Sequence, residues 1–555
     1  NNIKIYCQNT QKEKYFPFGT SLLEIANQEK IKPEFPILGA MVNNSLKELD
    51  YLIYKPKTVR FIDYTHPDGK RMYMRSLSFI LYKAAHDLYP QTTLKIKHSV
   101  SNGFYCELEG LDPKEDYKEV CLKLKAEMMA IVKENLDFER EEIQTQEAIK
   151  IFEEEKLFDK CTLVRTRQQF YSSVYKMDGV VNYFYGYLVP STGYIDRFDL
   201  VHYQDGMLLL PPKSSSPNET EEVINQDKLF EVFREFKEWV SIMGVPDIGH
   251  LNLVTQENKI GLIIKISEAL QEKKLAIIAE KIGKKRKNLK VILISGPSSS
   301  GKTTFAKRLS IQLRVIGFEP IILGMDNYFV DRAHTPLDEN GELDFENPHA
   351  IDIELFNKNM LDLFDGKEID LPKFSFTTGQ RSYNGNKLSL KENSILLVEG
   401  IHGLNPIMSN MIPENKKFKI YVSALTPISI DSSNRIPTTD NRLIRRMVRD
   451  HNYRGYSAQD TLQRWASVRK GEEKHIFPFQ EEADVMFNTA LIYELGVLKN
   501  WAEPILRAVP PIAAEYAEAR RLLKFLSYIR PIITKEIPPT SILREFLDGS
   551  SFKYS

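Results

Sequence analysis

Val291-Ile292-Leu293-Ile294-Ser295-Gly296-Pro297-Ser298-Ser299-Ser300-Gly301-Lys302-Thr303-Thr304 is the stretch that decides the fold. Four consecutive apolar residues, with no polar alternation, read as a strand buried on both faces. Residues 296–303 then fit GxxxxGK[ST], and Phe305, Ala306, Leu309 and Leu313 follow at helical spacing. A loop turning from strand into helix aims several backbone N–H groups into one concavity, and the helix N-terminus adds its positive dipole end. Gly296 and Gly301 allow positive φ and close approach. The loop therefore reads as a phosphate cradle, with Lys302 reaching the β/γ-phosphates and Thr303 offering a hydroxyl to Mg²⁺. Gly296, Pro297, Ser298, Ser299, Ser300, Gly301, Lys302, Thr303 and Thr304 are the expected nucleotide contacts.

Runs of the same buried type recur at 321–323, 395–398 and 418–422, with helical patterns between them. Strand–helix alternation predicts a doubly wound parallel α/β sheet. Glu399-Gly400 follows one of these strands, so Glu399 is an expected metal ligand beside Thr303. Asp326, in Met325-Asp326-Asn327-Tyr328-Phe329, follows another. Ligands of such sheets bind beyond the strand C-termini. An acid there can accept a proton from an attacking hydroxyl, so Asp326 is the expected general base. Arg442, Arg445, Arg446 and Arg449 fall at i, i+3, i+4 and i+7, placing four guanidiniums on one helix face. Leu443, Met447 and Val448 lie on the other side. Arginine forks match phosphate oxygens. The row predicts a lid helix, with Arg442, Arg446 and Arg449 acting with Lys302 on the transferring phosphoryl group.

Composition narrows the class. The chain has 555 residues, which suggests ~3–4 domains at about 150 residues each. Lys+Arg and Asp+Glu are both 75, so the net charge is zero. That disfavours a protein whose main task is to coat nucleic acid or an anionic membrane. A hydrophobic content of 42% permits real cores, and no apolar run approaches the roughly 18–20 residues that span a bilayer. Cys7, Cys106, Cys121 and Cys161 are far apart, which predicts free thiols and a reducing, cytoplasmic setting. No charged-then-apolar leader opens the chain, so no secretion signal is expected. Asn1 is not an initiator methionine, which leaves open that the natural chain starts earlier.

Residues 1–62 read as a β-rich unit with one helix after Ser21. Asp68-Gly69 reads as a hairpin turn, followed by a helix over 76–88. Residues 63–225 then mix helices and short strands, 226–286 are a helical linker, and 501–555 form a helical tail with an irregular end.

With these motifs in place, residues 287–500 resemble the uridine kinase/phosphoribulokinase family of P-loop kinases. The resemblance rests on 296–303, on 326–329, on the acidic segment Asp344-Phe345-Glu346-Asn347-Pro348-His349-Ala350-Ile351-Asp352, on Val398-Glu399-Gly400-Ile401, and on the arginine row through Arg454-Gly455. It implies ATP and Mg²⁺ as cofactors and Asp326 as base toward a sugar hydroxyl. It places Tyr328, Phe329, Phe374, Phe376, Arg381 and Arg454 around the acceptor. Nucleoside-kinase relatives carry Tyr-Asp-Phe followed by a His that holds the pyrimidine; this chain has Phe374-Ser375-Phe376, and Gly379 in place of the His.

Residues 1–62 resemble the TGS domain, a β-grasp module of threonyl-tRNA synthetases. Residues 63–225 resemble the α+β editing domain of those enzymes, through Arg75-Ser76 onward, Asn102-Gly103-Phe104-Tyr105 and Asn135-Leu136-Asp137-Phe138-Glu139-Arg140-Glu141-Glu142. The editing domain's metal-capable His-x-x-x-His pair is replaced here by Arg75 and Phe79, which predicts neither zinc nor deacylation.

The expected activity is transfer of the γ-phosphoryl group of ATP to a hydroxyl of a uridine- or cytidine-like nucleoside. A sugar phosphate or another small alcohol is the alternative acceptor, and an RNA-binding regulatory NTPase is the alternative of another class. RNA binding through the N-terminal half is disfavoured by the zero net charge, no membrane partner is expected, and homo-oligomer formation is left open.

Overall fold

The computed structural model describes residues 2–31, 34–339, 341–375 and 377–554. Its catalytic-type sheet has five strands, β1 (Val291–Ser295), β2 (Glu319–Gly324), β3 (Ser394–Glu399), β4 (Lys417–Ser423) and β5 (Val485–Asn488). Their order is β2-β3-β1-β4-β5, all parallel. The strands are apolar without alternation because both faces are covered. Ile292, Ile294, Ile395 and Leu397 enter one core with Phe305 and Leu309. Val291, Leu293, Leu396 and Val398 enter the opposite core with Phe356 and Met360. Strand β5, a run of only four buried residues, extends the sheet beyond the strands read from the sequence.

Residues 2–62 form a mixed sheet in the order 12–17, 2–7, 57–62, 39–42, 45–47. Its first and last long strands pair in parallel at the centre. The helix Leu22–Glu29 begins on a capping box between Ser21 and Glu24 and buries Leu22, Ile25 and Ala26. The next unit carries a four-stranded antiparallel sheet and a separate three-stranded one.

Two expectations are corrected. Asp68-Gly69 is not a hairpin turn. Pro67 at the first helical position, capped by His66, starts the helix Pro67–Leu88 there. Nor are residues 226–286 a linker. Helix Ile260–Lys284 buries Leu275, Ile278 and Ile282 in the same core as the P-loop helix. Arg308 of that helix meets Gln271 and Glu272 at 3.1 and 2.8 Å.

The tail is not peripheral either. Helix Glu494–Arg507 runs through position 500, and Ile542, Leu543, Phe546 and Leu547 are fully buried in this core. The second unit joins it through Lys160 and Asp431, both fully buried and 3.3 Å apart. Removing one partner of such a pair costs about 3–5 kcal/mol, so this junction fixes the two units against each other.

Candidate active site

The loop after β1 turns into helix α1 (Lys302–Val315) through Gly301, at φ +84°. A Cβ on Gly296 would lie 2.0 Å from the Val422 carbonyl oxygen, so only glycine fits there. The hydroxyls of Ser299 and Ser300 are buried without a hydrogen-bond partner. Unsatisfied donors in a cradle with a helix N-terminus fit a phosphate chain. Lys302 Nζ donates to the Pro297 carbonyl at 3.1 Å. Burial pulls its ammonium below the ordinary range, while Glu399, Asp326 and Glu545 oppose that pull.

Thr303 Oγ1 donates to Glu399 Oε1 at 3.2 Å, at the C-terminal tip of β3. Burial raises the Glu399 carboxyl to about 7; the Lys302 charge resists, and Asp326 adds to the rise. Magnesium takes one or two protein oxygens and leaves its other positions to phosphate and water. Thr303 and Glu399 are oxygen ligands of that type. Among the described residues, no group of three or more His, Cys, Asp or Glu could hold a metal by itself.

Asp326 stands in the turn Met325–Tyr328 directly after β2. Asp326 is exposed to solvent while protein surrounds it on its other sides. That enclosure raises it, and Lys302 and Arg454 pull it back. Asp326, Glu399 and Lys302 thus form one electrostatic cluster at the ends of adjacent strands β2, β3 and β1.

The arginine row is divided between two tasks. Helix α2 (Thr438–Arg454) packs inside the domain and buries Arg442 and Arg445 completely. Arg442 pairs with Glu472 and donates to the Ser298 carbonyl at 3.0 Å. Arg445 pairs with Glu494 and donates to Thr489 Oγ1 at 3.0 Å. Both guanidiniums are already neutralised, which corrects the expectation of a free lid face. Buried charges persist only when paired and hydrogen-bonded. Arg446 donates to Ser298 Oγ at 2.8 Å and, with Arg449 and Arg454, converges on Asp450. These three keep part of their surface open.

The acceptor expectations also change. Tyr328 and Phe329 are core side chains; Tyr328 accepts from Asn359 at 3.2 Å and packs on Phe356. Phe374 packs against Phe329 in the same core. Arg381 is bound to Asp352 at 2.8 Å. An aromatic run beside a strand end reads equally as pocket or core, and packing decides it. Phe376 lies outside the described residues.

Four functional candidates carried no strong sequence signal. Glu472 receives the Ser298 N–H at 3.0 Å. Glu346, within the acidic segment, rises to about 7 through burial and the nearby Glu472, and its Oε2 has no partner. His402 is fully buried with neither ring nitrogen bonded, and burial holds it neutral at about 3. Glu545, from the tail, accepts from the Thr304 N–H and hydroxyl.

A parallel sheet with a P-loop, an acid at a strand tip and a second acid in the cleft defines an ATP-dependent phosphotransferase. Residues 291–492 match the Phosphoribulokinase / Uridine kinase family. The uridine kinase of Staphylococcus aureus strain JH9 is 30% identical over 198 residues, covering 35% of this chain and 86% of that enzyme. The uridine kinase of strain USA300 / TCH1516 gives the same figures. A solved structure described as a possible uridine kinase from Bacillus stearothermophilus is 20% identical, covers 36% of this chain and 89% of its own, and has a TM-score of 0.24, a fit too slight to bear on the fold. The chain belongs to the phosphoribulokinase/uridine kinase family through its residues 291–492. No helix among the described residues is long and apolar enough to cross a membrane.

Proposed function

We propose that the chain transfers the γ-phosphoryl group of ATP to a hydroxyl of a nucleoside, of the uridine or cytidine type. The observation that carries this reading is the cluster of Lys302, Glu399 and Asp326 at the strand ends, which couples phosphate binding, a metal-type carboxylate and a base in one cleft. ATP with Mg²⁺ supplies the transferable group and charge compensation. Lys302 and the loop N–H groups bind and orient the phosphates, and Thr303 and Glu399 present the metal oxygens. Asp326 accepts the proton from the acceptor hydroxyl as it attacks. Arg446, which donates to Ser298 Oγ of the loop, and Arg449 on the same helix stabilise the charge that develops on the transferring group.

The family relatives named as uridine kinases support a nucleoside acceptor. Phe374-Ser375-Phe376 and Gly379, in place of the pyrimidine-holding residues, favour a second acceptor class, a sugar phosphate or another small alcohol. ADP release measured over a panel of nucleosides and sugar phosphates separates the two. Acceptor-independent ATP hydrolysis alone would remove both.

The same reading assigns residues 1–62 to a TGS-like β-grasp module, supported by the central parallel pair of its sheet. Residues 63–225 are then an editing-like unit in which Arg75 donates to the Tyr187 carbonyl in place of a metal-binding histidine. We assign this half a binding or scaffolding role.

A further inference from the structure

A cavity of about 490 Å³ lies away from the P-loop, where residues 45–47, helix Pro67–Leu88, residues 185–187 and the C-terminal helices meet. That volume lies within the ~300–1,000 Å³ of small-molecule sites. Seven cations line it, Arg521 and six others: Lys47, Arg75, Arg167, Arg507, Arg520 and Lys524. Among the described residues none of the six is ion-paired to a carboxylate. Arg75 lies over the Tyr185 ring, Arg167 over Tyr528 and Lys524 over Tyr187. Arg167 Nε is buried with no hydrogen-bond partner. The one acid in the lining, Asp68, is held by Arg71 at 2.8 Å.

This crowding is electrostatically unfavourable. Lys524 is open to the cavity yet surrounded by protein, and burial together with Arg140, Arg167 and Arg75 draws its ammonium down to about 7, against a weak upward pull from Glu48. Burial and Arg140 also lower Lys47. Cations enclosed in protein are ordinarily paired, and a concavity lined by one sign of charge focuses its field on an opposite charge.

We propose that this cavity binds a small, multiply charged, phosphate-bearing anion, held by the forks of Arg75, Arg167 and Arg520 together with Lys524. Guanidinium forks match phosphate oxygens bidentately. The cations converge on one concavity and do not spread along a surface, which suits a small molecule better than an RNA strand. The occupant would adjoin Arg521, a seventh cation of the lining, which binds Asp440 at 2.7 and 2.8 Å. Asp440 lies in the first turn of helix α2, whose Arg442 and Arg446 touch Ser298 of the P-loop. The cavity is thus linked to the phosphate cradle by one ion pair and one helix.

The test is calorimetric titration of inorganic pyrophosphate into the full chain carrying Lys302→Ala, which weakens the P-loop's own phosphate affinity. It reads no turnover and is independent of the kinase reading. One binding event is expected to remain, and adding Arg520→Ala with Lys524→Ala is expected to weaken it at least tenfold with an unchanged melting midpoint. Both side chains are solvent-accessible and lack ion-pair partners, so the fold does not depend on them. Arg507→Glu, at another point of the lining, is expected to weaken it independently. Loss of binding from Lys302→Ala alone would overturn the proposal. So would binding unaffected by both cavity variants, or an RNA that binds with this dependence on Arg520 and Lys524 where pyrophosphate does not.

Discussion

Thr304 donates both its backbone N–H and its hydroxyl to the carboxylate of Glu545, at 3.1 and 2.7 Å, across 241 residues of sequence. Those donors belong to the first turn of the P-loop helix, where backbone N–H groups serve the phosphates. A carboxylate on them is a competitor for a nucleotide. Ile542 presses on the neighbouring Gly301, 2.7 Å from where a Cβ would be, so the tail is seated there by packing as well. Glu545→Gln is expected to tighten ATP binding about tenfold, because a neutral amide is a weaker acceptor than a carboxylate. Isothermal titration of ATP reads this directly. An unchanged or weaker affinity would make the contact a purely structural cap.

Lys302→Ala is expected to leave a folded chain with little ATP turnover. Its ammonium is the cation that Glu399 and Asp326 both face, and its loss removes charge stabilisation at the β/γ-phosphates. The check is acceptor-dependent ADP release beside a far-ultraviolet circular dichroism spectrum. Near-normal turnover would take the P-loop out of the mechanism.

Asp326→Asn keeps shape and polarity but accepts no proton. It is expected to lower kcat by ~10²-fold or more with ATP affinity largely kept, as general-base contributions run about 10²–10⁴. The wild-type pH profile follows from the same site. Burial raises the Asp326 carboxyl above its ordinary value against the pull of Lys302 and Arg454, and raises Glu399 to about 7. A raised acid is protonated below its pKa, where it neither accepts a proton nor ligates a metal. The rate of the wild-type chain should therefore fall as pH drops below about 7, and a pH–rate profile flat between 5 and 8 would contradict the Glu399 assignment.

Within the arginine row, stability and catalysis should separate. Arg445→Ala leaves Glu494 buried without its cation, which is expected to destabilise the chain by about 3–5 kcal/mol; Arg442→Ala leaves Glu472 its bridge to Arg469 at 3.2 Å and is expected to cost less. Arg446→Ala removes a donor from Ser298 Oγ at the cradle rim and is expected to lower kcat by ~10²-fold with a small change in stability. Denaturant midpoints and steady-state rates for the three variants separate the two groups. Equal modest effects across the row would return it to a solvated basic face.

The strand, turn and helix of 291–315 were legible because their determinants are contiguous. An apolar run, two glycines and a helical period specify the cradle within about two dozen residues. The acids after β2 and β3 were legible for the same reason, each being named by the strand it follows. What lies around them was not. Tyr328, Phe329 and Phe374 looked like substrate contacts and proved to be core, since an apolar ring has no sequence mark that separates pocket from interior.

Sequence by itself determined four of the five parallel strands, the glycine-bearing turn from strand to helix, and the placing of Lys302, Asp326 and Glu399 at strand ends, because each is specified over a few neighbouring residues. Tertiary structure alone decided which arginines are neutralised and which remain available. Glu472 and Glu494 reach Arg442 and Arg445 from 30 and 49 residues away, and Glu545 reaches Thr304 from 241. The charge state of a buried group depends on whichever opposite charge the fold carries to within a few ångströms, and separation along the chain contains no trace of that distance.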